Sequence, residues 1–358
     1  MQIGFYEKKL SIFGVNSKLF TTQPTPLKLA ILILNWNGKT LLKRFLPSVI
    51  EHSAKHDIYV VDNASEDGSV EFVISNFPEV KCVKLDKNYG YAGGYNKAVK
   101  QIDADIYCLL NSDVRVTKHW INPVLKQFET HLNIGVIQPK ILDENAPKAF
   151  EYAGAAGGFI DQLGYPYCRG RLFNHLENDL GQYNQSRSIF WASGACFFVR
   201  QSLFNRLNGF DELFFAHMEE IDFCWRAQNI GEAVWFTPES TVYHVGGASL
   251  NAIHSKKTFF NFRNSLFTLT KNTPQPLVVV ILLRLILDGV AGLRFLIAAK
   301  PKHTLAVIKA HFSYYITLPK LLKFRCRNTT RKNYTGVFSI VWCHYIQGTK
   351  TFSKLKKH

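Results

Sequence analysis

Residues 29–38 read Leu-Ala-Ile-Leu-Ile-Leu-Asn-Trp-Asn-Gly: six consecutive apolar positions, then polar residues and a glycine. An unbroken apolar run of this length is the pattern of a strand buried on both faces, as in a parallel sheet. Leu41, Leu42, Phe45, Leu46 and Val49 then recur at helical spacing, so the unit is strand, turn, helix. Working outward, the unit repeats. Ile58 to Val61 predicts a second buried strand ending at Asp62, with a helix from about Gly68 to Asn76. Cys82 to Leu85 predicts a third strand, followed by Asn88-Tyr-Gly-Tyr-Ala-Gly-Gly-Tyr-Asn96 opening a helix to about Gln101. Ile106 to Leu110 predicts a fourth, stopping at Asn111-Ser-Asp113.

Strands alternating with helices predict right-handed crossovers and an α/β fold, a mainly parallel sheet with helices on both faces. Ligands of such sheets sit at the carboxyl ends of the strands. Asn35, Asp62, Asn111 and Asp113 all stand there. Each alone is an ordinary turn residue; in succession they nominate one rim. Gly90, Gly93 and Gly94 are candidates for a backbone anion cradle at a helix start, without the Gly-x-Gly-x-x-Gly spacing of dinucleotide folds.

A second cluster lies at 209–226, Gly-Phe-Asp-Glu-Leu-Phe-Phe-Ala-His-Met-Glu-Glu-Ile-Asp-Phe-Cys-Trp-Arg. Glu219, Glu220 and Asp222 stand among aromatics, where burial and mutual repulsion can leave one carboxyl as a proton acceptor. The plainer reading is an amphipathic helix with Asp222 paired to Arg226 at i, i+4 and the glutamates in water.

Charge is unevenly spread. The net charge is +16, yet from Ser240 onward there are 19 Lys+Arg against one acid, Asp288, while residues 1–239 hold 24 basic and 26 acidic side chains. The seven scattered cysteines include no Cys-x-x-Cys pair, and the start of the chain has no continuous apolar core with a cleavage site; a reducing, cytoplasmic setting is expected. Residues 1–27, ending Thr-Gln-Pro-Thr-Pro, read as an N-terminal extension, 28–250 as the catalytic domain and 251–358 as a basic helical region. Leu277 to Ala299 is long enough to span a bilayer, but Arg284, Asp288 and Arg294 would each cost roughly 2.5–3.5 kcal/mol at its centre. On a helix these charges share one arc of about 120°, the pattern of an amphipathic helix lying on a membrane or on the catalytic domain.

Asn35-Trp-Asn-Gly, Val-Val-Asp62-Asn-Ala-Ser, Asn88-x-Gly-x-Ala-Gly-Gly-x-Asn, Leu-Leu-Asn111-Ser-Asp113, Trp191-Ala-Ser-Gly-Ala, the 209–226 cluster and Val-Tyr-His244-x-Gly-Gly occur in this order. Together they resemble family 2 glycosyltransferases, especially the rhamnosyltransferase-like members of bacterial polysaccharide pathways, over about Leu27 to Asn272. The resemblance implies a GT-A fold, a nucleotide-sugar donor, a divalent cation (Mg²⁺ or Mn²⁺) and inversion at the anomeric carbon. It implies donor contacts at Asn35, Asp62, Asn88, Gly94, Asn111 and Asp113, with Asn111 and Asp113 standing for an Asp-x-Asp motif whose first acid is replaced. Asp113 and His244 become the metal ligands and Glu220 the base that takes the acceptor proton. Trp191, Glu219 and Asp222 become positioning residues, the last two expected to face away from the reacting hydroxyl. The acceptor is expected to be a saccharide, lipid-linked, met at the anionic inner face of the cytoplasmic membrane. A nucleotidyltransferase acting on a sugar phosphate is the alternative. Nucleic acid is not an expected partner, because a basic tail alone leaves the acidic rim unexplained.

Overall fold

The computed structural model describes residues 26–246, 255–325 and 333–355. The expected extension 1–27 and the tail residues Arg327, Arg331 and Lys332 lie outside these, apart from Pro26 and Leu27. The first half follows the expected alternation: β1 (Leu29–Asn35), α1 (Lys39–Ser53), β2 (Asp57–Asp62), α2 (Ser69–Asn76), β3 (Lys81–Lys84), α3 (Gly90–Ala98) and β4 (Ile106–Asn111). Strand β1 pairs in parallel with both β2 and β4, and β2 with β3. Its apolar run serves two cores. Leu29, Ile31 and Ile33 pack with Leu42 and Leu46 of α1 and Val73 of α2, while Ala30 and Leu32 face Ala92 and Tyr95 of α3.

The sheet then leaves the parallel pattern. After β5 (Val114–Val116), α4 (Asn122–Thr130) and β6 (Ile134–Asp143), the chain makes a separate four-stranded sheet from β7 (Gly158–Ile160), β8 (Pro166–Cys168), β9 (Arg171–Leu172) and β10 (His175–Leu176). It returns through β11 (Arg187–Ser188), β12 (Cys196–Arg200), α5 (Gln201–Arg206), α6 (Glu219–Asn229) and β13 (Ala233–His244). The main sheet runs β11-β13-β6-β12-β4-β1-β2-β3, with β12 antiparallel to β4 and β6, and β5 pairing with β13. Strand β13 runs for 12 residues, and a bulge between Thr237 and Thr241 lets it pair first with one half of β6 and then with the other. The β13–β5 register sets His244 opposite Val114, and so beside Asp113.

Among the described residues, four α-helices follow: α7 (Ser255–Asn272), α8 (Leu277–Ile297), α9 (Pro301–Phe324) and α10 (Ile340–Tyr345). Leu266, Phe267 and Leu269 of α7 enter the same core as α3 and α6, so this helix belongs to the catalytic body. Two charges of the α8 arc, Arg284 and Asp288, are buried, while the third, Arg294, is exposed. Arg284 bonds Asp288 at 2.8 Å and the Leu163 and Gly164 carbonyls, and Asp288 also meets Tyr165 at 3.1 Å and His311 at 3.2 Å. The apolar side faces outward, with Val278, Ile286, Val290 and Ile297 between 60% and 79% exposed. No helix among the described residues is long and apolar enough to cross a membrane.

Candidate active site

The rim where β4 ends carries a buried charge triad. His244 Nε2 lies 3.1 Å from Asp113 Oδ1, its Nδ1 lies 3.3 Å from Glu151 Oε1, and the Asn111 amide is 3.4 Å from Nε2. Burial opposes a charge on the imidazole, but hydrogen bonds to Asp113 and Glu151 outweigh it and push His244 up to about 10. The set could hold a divalent cation only in exchange for the His244 Nε2 proton, because a ligating imidazole is neutral; two neighbouring ligands of an octahedral ion with ~2.1 Å bonds lie about 3.0 Å apart, close to the Asp113–His244 separation of 3.1 Å. Glu151 then fills the outer position that fixes a ligating imidazole's tautomer and orientation. Among the described residues no three His, Cys, Asp or Glu side chains converge as a metal cage. That suits an ion that takes few protein ligands and completes its shell from substrate and water.

Across from this rim, the chain enters α6 through a strained turn. Phe215, His217 and Met218 all take positive φ, of 64°, 69° and 74°. For side chains of this size such conformations cost energy and persist only where surroundings impose them. The clamp comes from α7: Asn264 donates to the carbonyls of Phe214, Ala216 and His217, and Arg263 to those of Leu213 and Phe214. Glu219 and Glu220 emerge at the start of α6, and each keeps a buried oxygen without a hydrogen-bond partner. Burial pushes Glu220 up to about 7, and burial with the neighbouring Glu220 charge holds Glu219 well above the usual carboxylate range. Near neutrality Glu220 is therefore poised to accept a proton while Glu219 keeps its own.

Both features open into one cavity of about 1900 Å³, lined among others by Asn88, Asn111, Asp113, Trp191, Glu219, Glu220 and His244. Small-molecule sites span roughly 300–1,000 Å³; this one has room for more than one substrate.

Residues 30–207 match the profile of Glycosyl transferase family 2. The chain belongs to that family. An N-acetylglucosaminyl-diphospho-decaprenol L-rhamnosyltransferase of Mycobacterium tuberculosis is 25% identical over 256 residues, covering 64% of this chain and 82% of that protein. The hexosyltransferase Agl10 of low-salt glycan biosynthesis in Haloferax volcanii is 24% identical over 213 residues, 57% of this chain and 64% of its own length. Among solved structures, GalNAc-T7 with UDP, GalNAc and Mn²⁺ superposes with a TM-score of 0.55 at 16% identity, over 68% of this chain and 48% of that one. S. aureus TarS in complex with UDP-GlcNAc gives 0.51 at 13% identity, over 83% and 91%. The fold is GT-A, and the nucleotidyltransferase alternative finds no support.

Not every expected site residue of this glycosyltransferase reaches the cavity. Asn35 and Asp62 are buried beneath it: Asn35 donates to Asp62 and Ser65, and Asp62 accepts the Ser65 amide. They shape the loops that line the cavity and do not line it themselves. Gly94 is a packing residue, since a Cβ there would stand 2.7 Å from a Leu34 methyl. Asp222 is likewise structural. Fully buried, it is held by Arg226 and Lys271 at 2.8 Å and by Asn272, two cations that outweigh its burial and keep its pKa low. The i, i+4 pairing with Arg226 is therefore as read from sequence, but the positioning role is indirect. Glu219, expected to face away, lines the cavity beside Glu220.

The glycine-rich, aromatic segment from Glu151 to Arg171 reads from sequence as a shaped loop near the site, but the sequence gives no role to the two residues at its ends. Glu151 opens a glycine-rich segment without a local signal, and only the fold brings it to His244. Arg171 is 6% exposed and lines the cavity; its Nε has no partner and its guanidinium lies 4.3 Å from the Tyr152 ring centroid.

Proposed function

We propose that this glycosyltransferase moves a deoxyhexose from a nucleotide-sugar donor to a hydroxyl of a lipid-linked saccharide, with inversion at the anomeric carbon, while bound peripherally to an anionic membrane surface. The observation that carries the reading is a buried carboxyl poised near neutrality, Glu220, sharing one cavity with the Asp113–His244 rim. The rhamnosyltransferase name of the M. tuberculosis relative supports the sugar class and the lipid-diphosphate acceptor.

In this mechanism Asn88 and Asn111 hold the donor's nucleotide end and Trp191 offers an apolar wall to the sugar. Asp113 and His244 would hold a divalent cation, which when bound offsets charge on the departing diphosphate, and Glu151 keeps the imidazole turned toward it. Glu220 takes the proton of the incoming hydroxyl as that oxygen attacks the anomeric carbon opposite the diphosphate. Glu219 beside it, held well above the usual carboxylate range by burial and the neighbouring Glu220 charge, ionises less readily and leaves the proton acceptor role to Glu220.

A panel of nucleotide sugars incubated with purified protein and Mg²⁺ or Mn²⁺ tests this. Release of free sugar and a nucleoside diphosphate from one donor class is expected. Pyrophosphate release from a nucleoside triphosphate and a sugar phosphate, with no donor cleaved, would overturn it.

A further inference from the structure

The cavity is larger than a donor and one sugar need, and its far half has a different chemistry. Leu283, Ile286 and Val290 of α8 line it opposite Phe338, Trp342 and Ile346 from and around α10. These same side chains are open to the outside, Ile286 at 63%, Val290 at 60%, Trp342 at 57% and Ile346 at 64%. The cavity therefore runs from Glu220 onto the outward apolar face of α8, which continues over Phe312 and Ile316 of α9, 67% and 81% exposed. Apolar surface on this scale is retained where something apolar covers it.

Among the cavity-lining cations without a carboxylate ion pair among the described residues, Arg171 and Arg294 are linked through a run of rings. Arg171 donates to the Phe173 carbonyl; the Phe173 ring meets Tyr345 at 5.1 Å, and the Arg294 guanidinium lies 5.1 Å from that Tyr345 ring. Both cations line the cavity. A buried guanidinium with a free N–H, aimed into a cavity, is suited to a phosphate oxygen.

We propose that the α8–α10 half of the cavity is the subsite for the acceptor's lipid: its isoprenoid chain lies on Ile286, Val290, Phe338 and Trp342, entering sideways from the bilayer, and its diphosphate rests between Arg171 and Arg294. This rests on the lipid-linked acceptor of the preceding reading and adds where and how that lipid is held. An isoprenoid is favoured as the occupant because the apolar strip is continuous with the catalytic cavity and ends at cations that complement an anionic head.

The test is binding of farnesyl diphosphate, farnesol and inorganic pyrophosphate to the full chain, followed by tryptophan fluorescence. Farnesyl diphosphate is expected to bind at least roughly tenfold more tightly than pyrophosphate, since its hydrocarbon chain leaves water for the apolar strip. Val290→Glu and Ile286→Glu, at exposed positions that tolerate charge, should erase that preference, and Arg294→Ala should weaken farnesyl diphosphate but not farnesol. Excess nucleoside diphosphate should leave farnesyl diphosphate bound. Equal binding of farnesyl diphosphate and pyrophosphate, unchanged preference in the two Glu variants, or full displacement by nucleoside diphosphate overturns the subsite. Because binding is read without turnover, loss of the subsite with an active donor panel sinks only this inference, and a bound probe with an inert panel sinks only the proposed reaction.

Discussion

Glu220 keeps one buried carboxyl oxygen without a hydrogen-bond partner, while Asp222, two positions on, is neutralised by two cations. In the proposed mechanism the same side-chain chemistry serves a proton transfer at one position and the fold at the other. A base raised to about 7 is protonated below that pH, so kcat should fall tenfold per unit below pH 7 and level off above it; a flat profile from pH 5 to 8 under rate-limiting chemistry contradicts this. Glu220→Gln should lower kcat by roughly 10²–10⁴, with donor affinity nearly unchanged and Glu220→Asp partly active. Glu151→Gln should weaken Mn²⁺ binding by roughly 10–100-fold, read by electron paramagnetic resonance without substrate. At this scale the sequence revealed what lies next to what in the chain, such as Glu219 and Glu220 or the Asp222–Arg226 pair. It concealed Glu151 and Arg171, whose partners are brought near only by the tertiary fold, and it could not tell a carboxylate in the cavity from one beneath it, as with Asp62.

Elements were legible where burial imposes a pattern. Strands β1, β2 and β4, apolar on both faces, were read to within a residue or two, and so were the starts of α1 and α2. The small four-stranded sheet was not, because its two- and three-residue strands are too short to show a period. Nor was the side of α8 that turns inward, since a charged arc looks the same whether it meets water or, as here, Tyr165 and His311. Helix α7 does for catalysis what no local motif announces: Asn264 holds the left-handed turn ahead of Glu219. Asn264→Ala should let that turn relax and lower kcat by up to roughly 10²-fold, with donor binding within a few-fold of wild type. Asp222→Asn, in contrast, should act on folding. Leaving Lys271 and Arg226 buried and short of a partner should cost roughly 3–5 kcal/mol in denaturant unfolding, whereas Glu220→Gln, which removes an unpaired buried acid, should not destabilise.

For the whole molecule, the basic second half and the outward apolar faces of α8 and α9 point to one surface. Vesicle flotation should show binding to neutral membranes through the apolar faces and stronger binding to anionic ones. The anionic advantage should vanish at 1 M salt, where screening acts within about 3 Å, and Phe312→Asp with Ile316→Asp should remove the remainder. No binding to either vesicle contradicts the placement. With the donor rim, the proposed proton acceptor and the proposed lipid entry in one cavity, the proposed reaction is a direct displacement at the sugar with no covalent sugar–protein intermediate. The anomeric configuration of the product, read by proton NMR within the first turnovers, tests that most directly: the account predicts the configuration opposite to the donor's, and a product retaining the donor's configuration would contradict it.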